Sequence, residues 1–490
     1  MKPFLCFLAL LCAYVSNYAQ ITKDNVDSLV KAAVDSVRIA GATVLVAKGD
    51  EIIHHKGYGY AHIGFKVPAT TDTRYFIVGP NGTLLAGIVM HYVEQKKFSL
   101  DDKVLRYLPK LPSAYEAITI RHLLTCTSGI PDYHYLGDRY DGSLGQPHTT
   151  DEVMARFIDL PLSHPPGTRF EWSISNFLIL TMLLEEVAGK PYRDILKEFI
   201  APLKINSTAV IDPVKSIDHF APGYMYQLER QELYPAYQSV LNYDPSLRIY
   251  STAGDWFEMW KGLKNARLIS KESFALMTSK EEAKRNKNIR FGYLILLSEF
   301  SGKDIYHFNG ALPGYSSYFS YVPAEDITII VFSNTGNVQE ADQIGGMILH
   351  NIVKVPTFPF KVPKDLNYAS IAVPKDSMTL LTGTFHLRRQ LKGGNKGPAS
   401  FALYKRTIRV FIENDQLMIQ QLGELPSPLL KQKDGSYRIV GALPQASLRF
   451  VFDNGKIKSI VREYDGQPVE EVGERIGDAD ARTFHKSLID

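Results

Sequence analysis

The sequence predicts an α+β domain, an antiparallel sheet flanked by helices, followed by a small all-β domain. Three observations carry this. Strand-like patterns lie near the start, alternating from Gly41 to Tyr60 around Gly49-Asp50, and again at about 290–335 in RFGYLILLS, SSYFSYV and ITIIVFSN. Helical patterns fill the interval, so one sheet draws its strands from both ends of this region. Residues 354–376 hold four prolines, which places a linker at 356–376, and 377–490 breaks into short β-like runs.

Taken in order, residues 1–19 have the layout of a secretory signal: Lys2, an apolar run from Phe4 to Val15, then small and polar residues ending at Ala19. Export to the periplasm or beyond follows, with Gln20 as the mature terminus. Cys12 offers a lipoprotein alternative, against which bulky Leu11 argues. The main domain is set at 20–355. Residues 22–40 read as an amphipathic helix through Val26, Leu29, Val30, Ala33 and Val37. The Gly49-Asp50 pair marks a hairpin. A second helix is expected over 82–97, with Gly79 as cap and Pro80 at its first position. A third runs over about 176–188, capped by Ser175 or Asn176 and stopped at Gly189. Turn signals at Asn414-Asp415, Asp434-Gly435 and Asn454-Gly455 divide the C-terminal domain, 377–490, into the strands of a barrel or sandwich.

Composition narrows the function. Apolar residues make up 45% and charged residues 22%, which describes a globular chain. A net charge of +3 over 490 residues gives no electrostatic footprint for nucleic acid. No later segment reaches the ~20 continuous apolar residues of a transmembrane helix. Of three cysteines, only Cys126 lies beyond the leader, so the exported chain has no internal disulfide.

The stretch TRYFIVGPNGTLL, Thr73 to Leu85, joins a strand-like run to a helical one. Such junctions commonly carry a nucleophile; this one carries Gly-Pro-Asn-Gly. With VEQKKFSLDDKVLRYLP, ITIRHLLTCTSGIPDY, PPGTRFEWSISNF, LLEEVAGKPY, YSTAGDW and GALPGYSSYFSYVP, it resembles the serine β-lactamase and penicillin-binding protein-like family, its class C and esterase-like branch above all. The similar stretches keep the family's order from about residue 40 to 335. In the C-terminal domain, LLTGTFHL and GKIKSIVREYDGQP are similar to the lipocalin-like barrels appended to such proteins.

The resemblance implies three catalytic clusters: S-x-x-K for nucleophile and base, Y-x-N for proton relay and amide, and K-T-G or H-x-G on an edge strand. Ungapped matching puts Gly79 at the serine and Gly82 at the lysine. It puts Trp172 at the tyrosine, Ile174 at the asparagine and Phe308 at the cation, followed by Asn309-Gly310. His307 lies one residue early, on the opposite face of a strand. The backbone N–H groups of Gly79 and Ala311 keep the places of the oxyanion-hole donors.

Relocated chemistry has few candidates. Ser128, Ser173, Ser175 and Thr83 lie near the motifs, but each reads as a turn, buried link, cap or first-turn residue. The S-x-x-K at Ser28 and Lys31 falls inside the N-terminal helix, and His122 and Cys126 share a helical spacing without further metal ligands. The sequence therefore reads as an inactive homologue with no cofactor or metal. It could bind a small carbonyl or carboxylate, such as a peptide C-terminus, through Gly79, Ala311, Asn309, Gly310, Trp172, Phe308 and His307. Alternatives are a hydrolase with a displaced nucleophile and an envelope interaction protein that makes no use of the cleft.

Overall fold

The computed structural model describes residues 23–35, 39–133, 149–212, 214–227, 232–236, 245–279, 291–300, 303–336, 340–352, 373–391, 405–413, 415–421, 427–439, 446–464 and 469–477. The expected leader, with Cys12, and most of the expected linker lie outside them. Among the described residues, no helix is long and apolar enough to cross a membrane.

Helix α1 (Lys23–Asp35) leads into strands β1 (Gly41–Lys48), β2 (Glu51–His62) and β3 (Val67–Pro68). Helices α2 (Asn81–Glu94) and α3 (Ser175–Ala188) belong to the inserted helical part. The chain then returns through β4 (Leu296–Phe300), β5 (Lys303–Leu312), β6 (Tyr315–Val322) and β7 (Ile327–Ser333) to helix α4 (Glu340–Ile352). The sheet runs β3-β2-β1-β7-β6-β5-β4, so β1 and β7, from opposite ends of the domain, meet at its centre with Val44 opposite Val331.

Period-two alternation explains the two cores. Val44 and Val46 of β1, with Ile329 and Val331 of β7, pack under Val26 and Val30 of α1 and Ile344 and Ile348 of α4. Their neighbours Leu45, Ala47, Ile330 and Phe332 point the other way, into the helical layer around Leu84, Leu85, Ile88 and Leu180. A central strand covered on both faces must be apolar throughout, and β1 is buried from Gly41 to Ala47.

Several boundaries differ from the sequence reading. Helix α2 stops at Glu94 rather than 97, because Lys96 takes a left-handed φ of 58°. Pro80 occupies the cap itself, so Gly79 lies just outside. Helix α3 has Ile174 at its cap with no side-chain cap bond; Ser175 instead donates to the Pro131 carbonyl at 2.6 Å. The run RFGYLILLS becomes a strand only from Leu296, since Leu294 at φ 48° turns the chain. Strand β4 then covers β5 from Lys303 to His307, leaving the outer side of Phe308–Leu312 without a strand neighbour among the described residues.

The C-terminal domain is a closed eight-stranded barrel in which each strand pairs with the next. The last, Val469–Gly477, returns to the first, Gly383–Leu391. This is the up-and-down closure of lipocalins. Inward positions Phe385, Leu387, Ile408, Val410, Leu448 and Ile460 are fully buried, and Met378, from the short helix Lys375–Leu380, joins them. Asn454 and Gly455 both take positive φ (49° and 74°), the turn chemistry that Asn-Gly supplies to a tight hairpin.

Candidate functional site

The strand-to-helix junction is pinned from three sides. Tyr75–Phe76 pairs with Ile249–Ser251, the Ile77 N–H donates to the Ile249 carbonyl at 2.8 Å, and the Val78 N–H donates to Ser317 Oγ at 3.1 Å. Ser317 stands opposite Gly310 in the β5–β6 ladder, so the last bond draws the junction across β5. The Asn81 side chain, 1% exposed, donates to the Ser246 carbonyl at 3.1 Å.

At Gly79 the two backbones meet. Its φ is +91°, and a Cβ there would stand 2.5 Å from the Asn309 carbonyl oxygen and 3.0 Å from the Gly310 nitrogen. From the other side, a Cβ on Gly310 would stand 2.9 Å from the Val78 carbonyl. Real Cβ atoms do not come this close to backbone. The glycine therefore serves a close approach as well as a left-handed conformation. The expected serine position is in contact with the strand that should stand across a cleft from it.

Gly82 is filled from another direction. A Cβ there would meet the Phe177 ring at 3.0 and 3.2 Å and the Leu294 carbonyl at 3.3 Å. Phe177, on the first turn of α3, makes an edge contact with Trp172 at 5.6 Å. Trp172 reaches Phe308 at 5.5 Å and Phe291 at 6.1 Å, and Phe291 packs on Phe170 at 5.1 Å. Rings from four segments thus gather around Gly82, Trp172 and Phe308, the positions expected for lysine, tyrosine and cation. Phe308 and Ile174 are buried in this core, while Trp172 is half-buried.

The structure separates His307 from this group. It lies on β5 on the face of Ile305, which packs under α1 and α4, whereas Phe308 faces the helical layer. Its Nε2 lies 2.7 Å from Ser298 Oγ. Burial lowers its pKa from 6.5 to about 4. The unfolded chain therefore takes up a proton that the folded chain refuses across this interval. Stability from neutral His307 is complete above about pH 6.5 and falls as the pH drops toward 4. Urea midpoints of His307→Gln are expected to vary less with pH than wild type over that window. Parallel profiles would show that His307 is not desolvated.

The other hydroxyls are tied into the fold. Ser128 Oγ lies 2.6 Å from Asn176 Oδ1, Thr83 donates to the Leu294 carbonyl at 3.4 Å, and Ser173 is 1% exposed. Ser28 and Lys31 lie on the exposed side of α1, where Lys31 pairs with Asp35. His122 closes a capping box with Thr119, and burial pushes the Cys126 thiol up to about 12.

The family model described as Beta-lactamase matches residues 26–350. The chain belongs to the β-lactamase family. Penicillin-binding protein 4* of Bacillus subtilis (strain 168) is 26% identical over 448 residues, covering 88% of this chain and 94% of that protein. The putative penicillin-binding protein PbpX of the same organism is 24% identical over 314 residues, 62% of this chain and 73% of its own. Among solved structures, the octameric penicillin-binding protein homologue from Pyrococcus abyssi superposes with a TM-score of 0.60 at 19% identity, covering 92% of this chain and 99% of that one. The D-amino acid amidase from Ochrobactrum anthropi SV3 gives 0.58 at 18% identity over 67% of this chain and 99% of its own. At these identities the superpositions speak for the fold.

Sequence reasoning singled out Gly79, Gly82, Trp172, Ile174 and Phe308 and missed Phe177 and Phe291, which pack against Gly82 and Trp172. The signal available for Phe177 was its place just after SISN; Phe291, just before GYL, stands apart from all three motifs and had none. Chemically, this assembly is an apolar plug against a backbone contact. It contains no acid, base or nucleophile among the residues at the motif positions.

Proposed function

We propose that this chain is an exported, catalytically inactive member of the β-lactamase family, acting as an envelope interaction protein and not as a hydrolase. The observation that carries this is the contact at Gly79. No nucleophile stands there, and none can be added without displacing the Asn309 carbonyl 2.5 Å from the required Cβ. Loss of the serine alone costs about 10⁶ in turnover in a serine hydrolase whose residues act as a unit. Here nucleophile, base and relay positions are glycine, glycine and tryptophan.

The same contact bears on the small-carboxylate site expected between the Gly79 and Ala311 N–H groups. An acceptor oxygen needs ~2.9 Å to each donor, and the close approach of Gly79 to Asn309 and Gly310 argues against an open cleft between the two donors. The chain is therefore expected to show no covalent adduct by intact mass after incubation with a fluorophosphonate or with penicillin. A stoichiometric adduct mapped to any serine would restore the hydrolase reading. Short D-alanine-ended peptides are expected to leave the Gly79 and Ala311 amide resonances unmoved; saturable shifts there would restore the ligand-binding reading instead.

A further inference from the structure

The other end of α2 holds a second concavity. A cavity of about 410 Å³ lies between the carboxyl ends of α2 and α3 and the following helix Tyr192–Ile200. Helix α2 is 14 residues long, so the cavity lies roughly 20 Å from the Gly79 junction. None of the degenerate motif residues lines it. The volume falls in the range that holds small organic ligands.

Its lining divides by chemistry. Val187 and Ala188 supply a short apolar edge beneath which Ile195 and Phe199 are buried, with the His91 ring set edge-on to Phe199 at 5.5 Å, and the rest of the open lining is polar. Gln95 Nε2 lies 2.7 Å from His91 Nε2, which occupies that ring nitrogen. The remaining polar groups are mostly donors. Lys190 pairs with Glu198, using one of its three N–H bonds. Lys97 makes no ion pair, and the Tyr92 hydroxyl no hydrogen bond, among the described residues. Two lysines thus accompany one carboxylate, Glu198, beside the short apolar edge of Val187 and Ala188.

We propose that this cavity binds a small monocarboxylate on an aromatic or short aliphatic body, with Lys97 and Lys190 on the carboxylate and the Val187–Ala188 edge against the body. The competing account is that the two lysines only neutralise the partial negative charge at two helix ends. Phenylacetate distinguishes the two, with 2-phenylethanol as the uncharged body and inorganic phosphate as charge without body. Titrated into the full chain, phenylacetate is expected to give saturable shifts at residues 91–97 and 187–199, and the two controls weaker ones. The double variant Lys97→Gln, Lys190→Gln should weaken binding at least about tenfold, as loss of charge-assisted bonds does. Ala188→Trp, which fills the cavity while both lysines remain, should abolish it. Absent shifts, an equal response to 2-phenylethanol, or binding that survives Ala188→Trp would each overturn the proposal. The readout is independent of whether the Gly79 site is active.

Discussion

Gly79→Ser is expected to destabilise the protein by about 2–5 kcal/mol and to yield no hydrolysis. The estimate has two parts. A side chain held in the left-handed region costs about 1–2 kcal/mol. Forcing atoms into a closed contact costs about 1–3 kcal/mol more, here against the Asn309 carbonyl and Gly310 nitrogen. Relief by side-chain rotation is unavailable, because the atoms met are backbone in the middle of β5 and its partner β6 holds them in register. Adding Gly82→Lys compounds the loss. The new side chain must displace the Phe177 ring 3.0 Å away, and its ammonium must be desolvated or stay neutral beside Trp172 and Phe308. Urea midpoints measure the first effect and nitrocefin turnover the second. A double variant as stable as wild type, or one that turns over, would mean that the junction opens in solution.

How much of this was legible in the sequence depends on the range of the interaction. Gly49-Asp50 is a local signal, and it located the hairpin; that both faces of β1 are covered came from the structure. The opposite facings of His307 and Phe308 follow from period two, which needs no tertiary knowledge. One helix end and one strand start were displaced by single residues, Lys96 and Leu294, whose positive φ no propensity favours. Strand order in the barrel was not legible either. Turn signals part the strands, but closure of Gly383–Leu391 on Val469–Gly477 is a pairing of residues far apart in the chain. The site shows the same limit. Gly79 and Gly82 stand where the resemblance expects nucleophile and base, yet the groups that crowd them, Asn309 and Phe177, lie 230 and 95 residues further along the chain.

Phe177 therefore carries the second large effect. It is 1% exposed and packs on both Gly82 and Trp172. Phe177→Ala is expected to cost about 3–5 kcal/mol, the range for emptying a buried aromatic site. Gly82→Leu alone should also destabilise, by about 1–3 kcal/mol of overpacking, partly offset by a gain in helix propensity of up to ~1 kcal/mol. Together the two changes exchange the ring on α3 for a side chain on α2 in the same space. Their combined cost should fall short of the sum by about 0.5–3 kcal/mol, the coupling seen for residues in contact. A double-mutant cycle in urea measures it. Strict additivity would mean that the Phe177 ring does not stand where the family's base would be, and that the apolar plug does not explain the loss of the lysine. A favourable coupling would show that α2 tolerates a side chain at 82 once the ring is gone. The aromatic packing would then be the barrier at the base position, while at the nucleophile position the barrier is backbone, which no side-chain exchange removes.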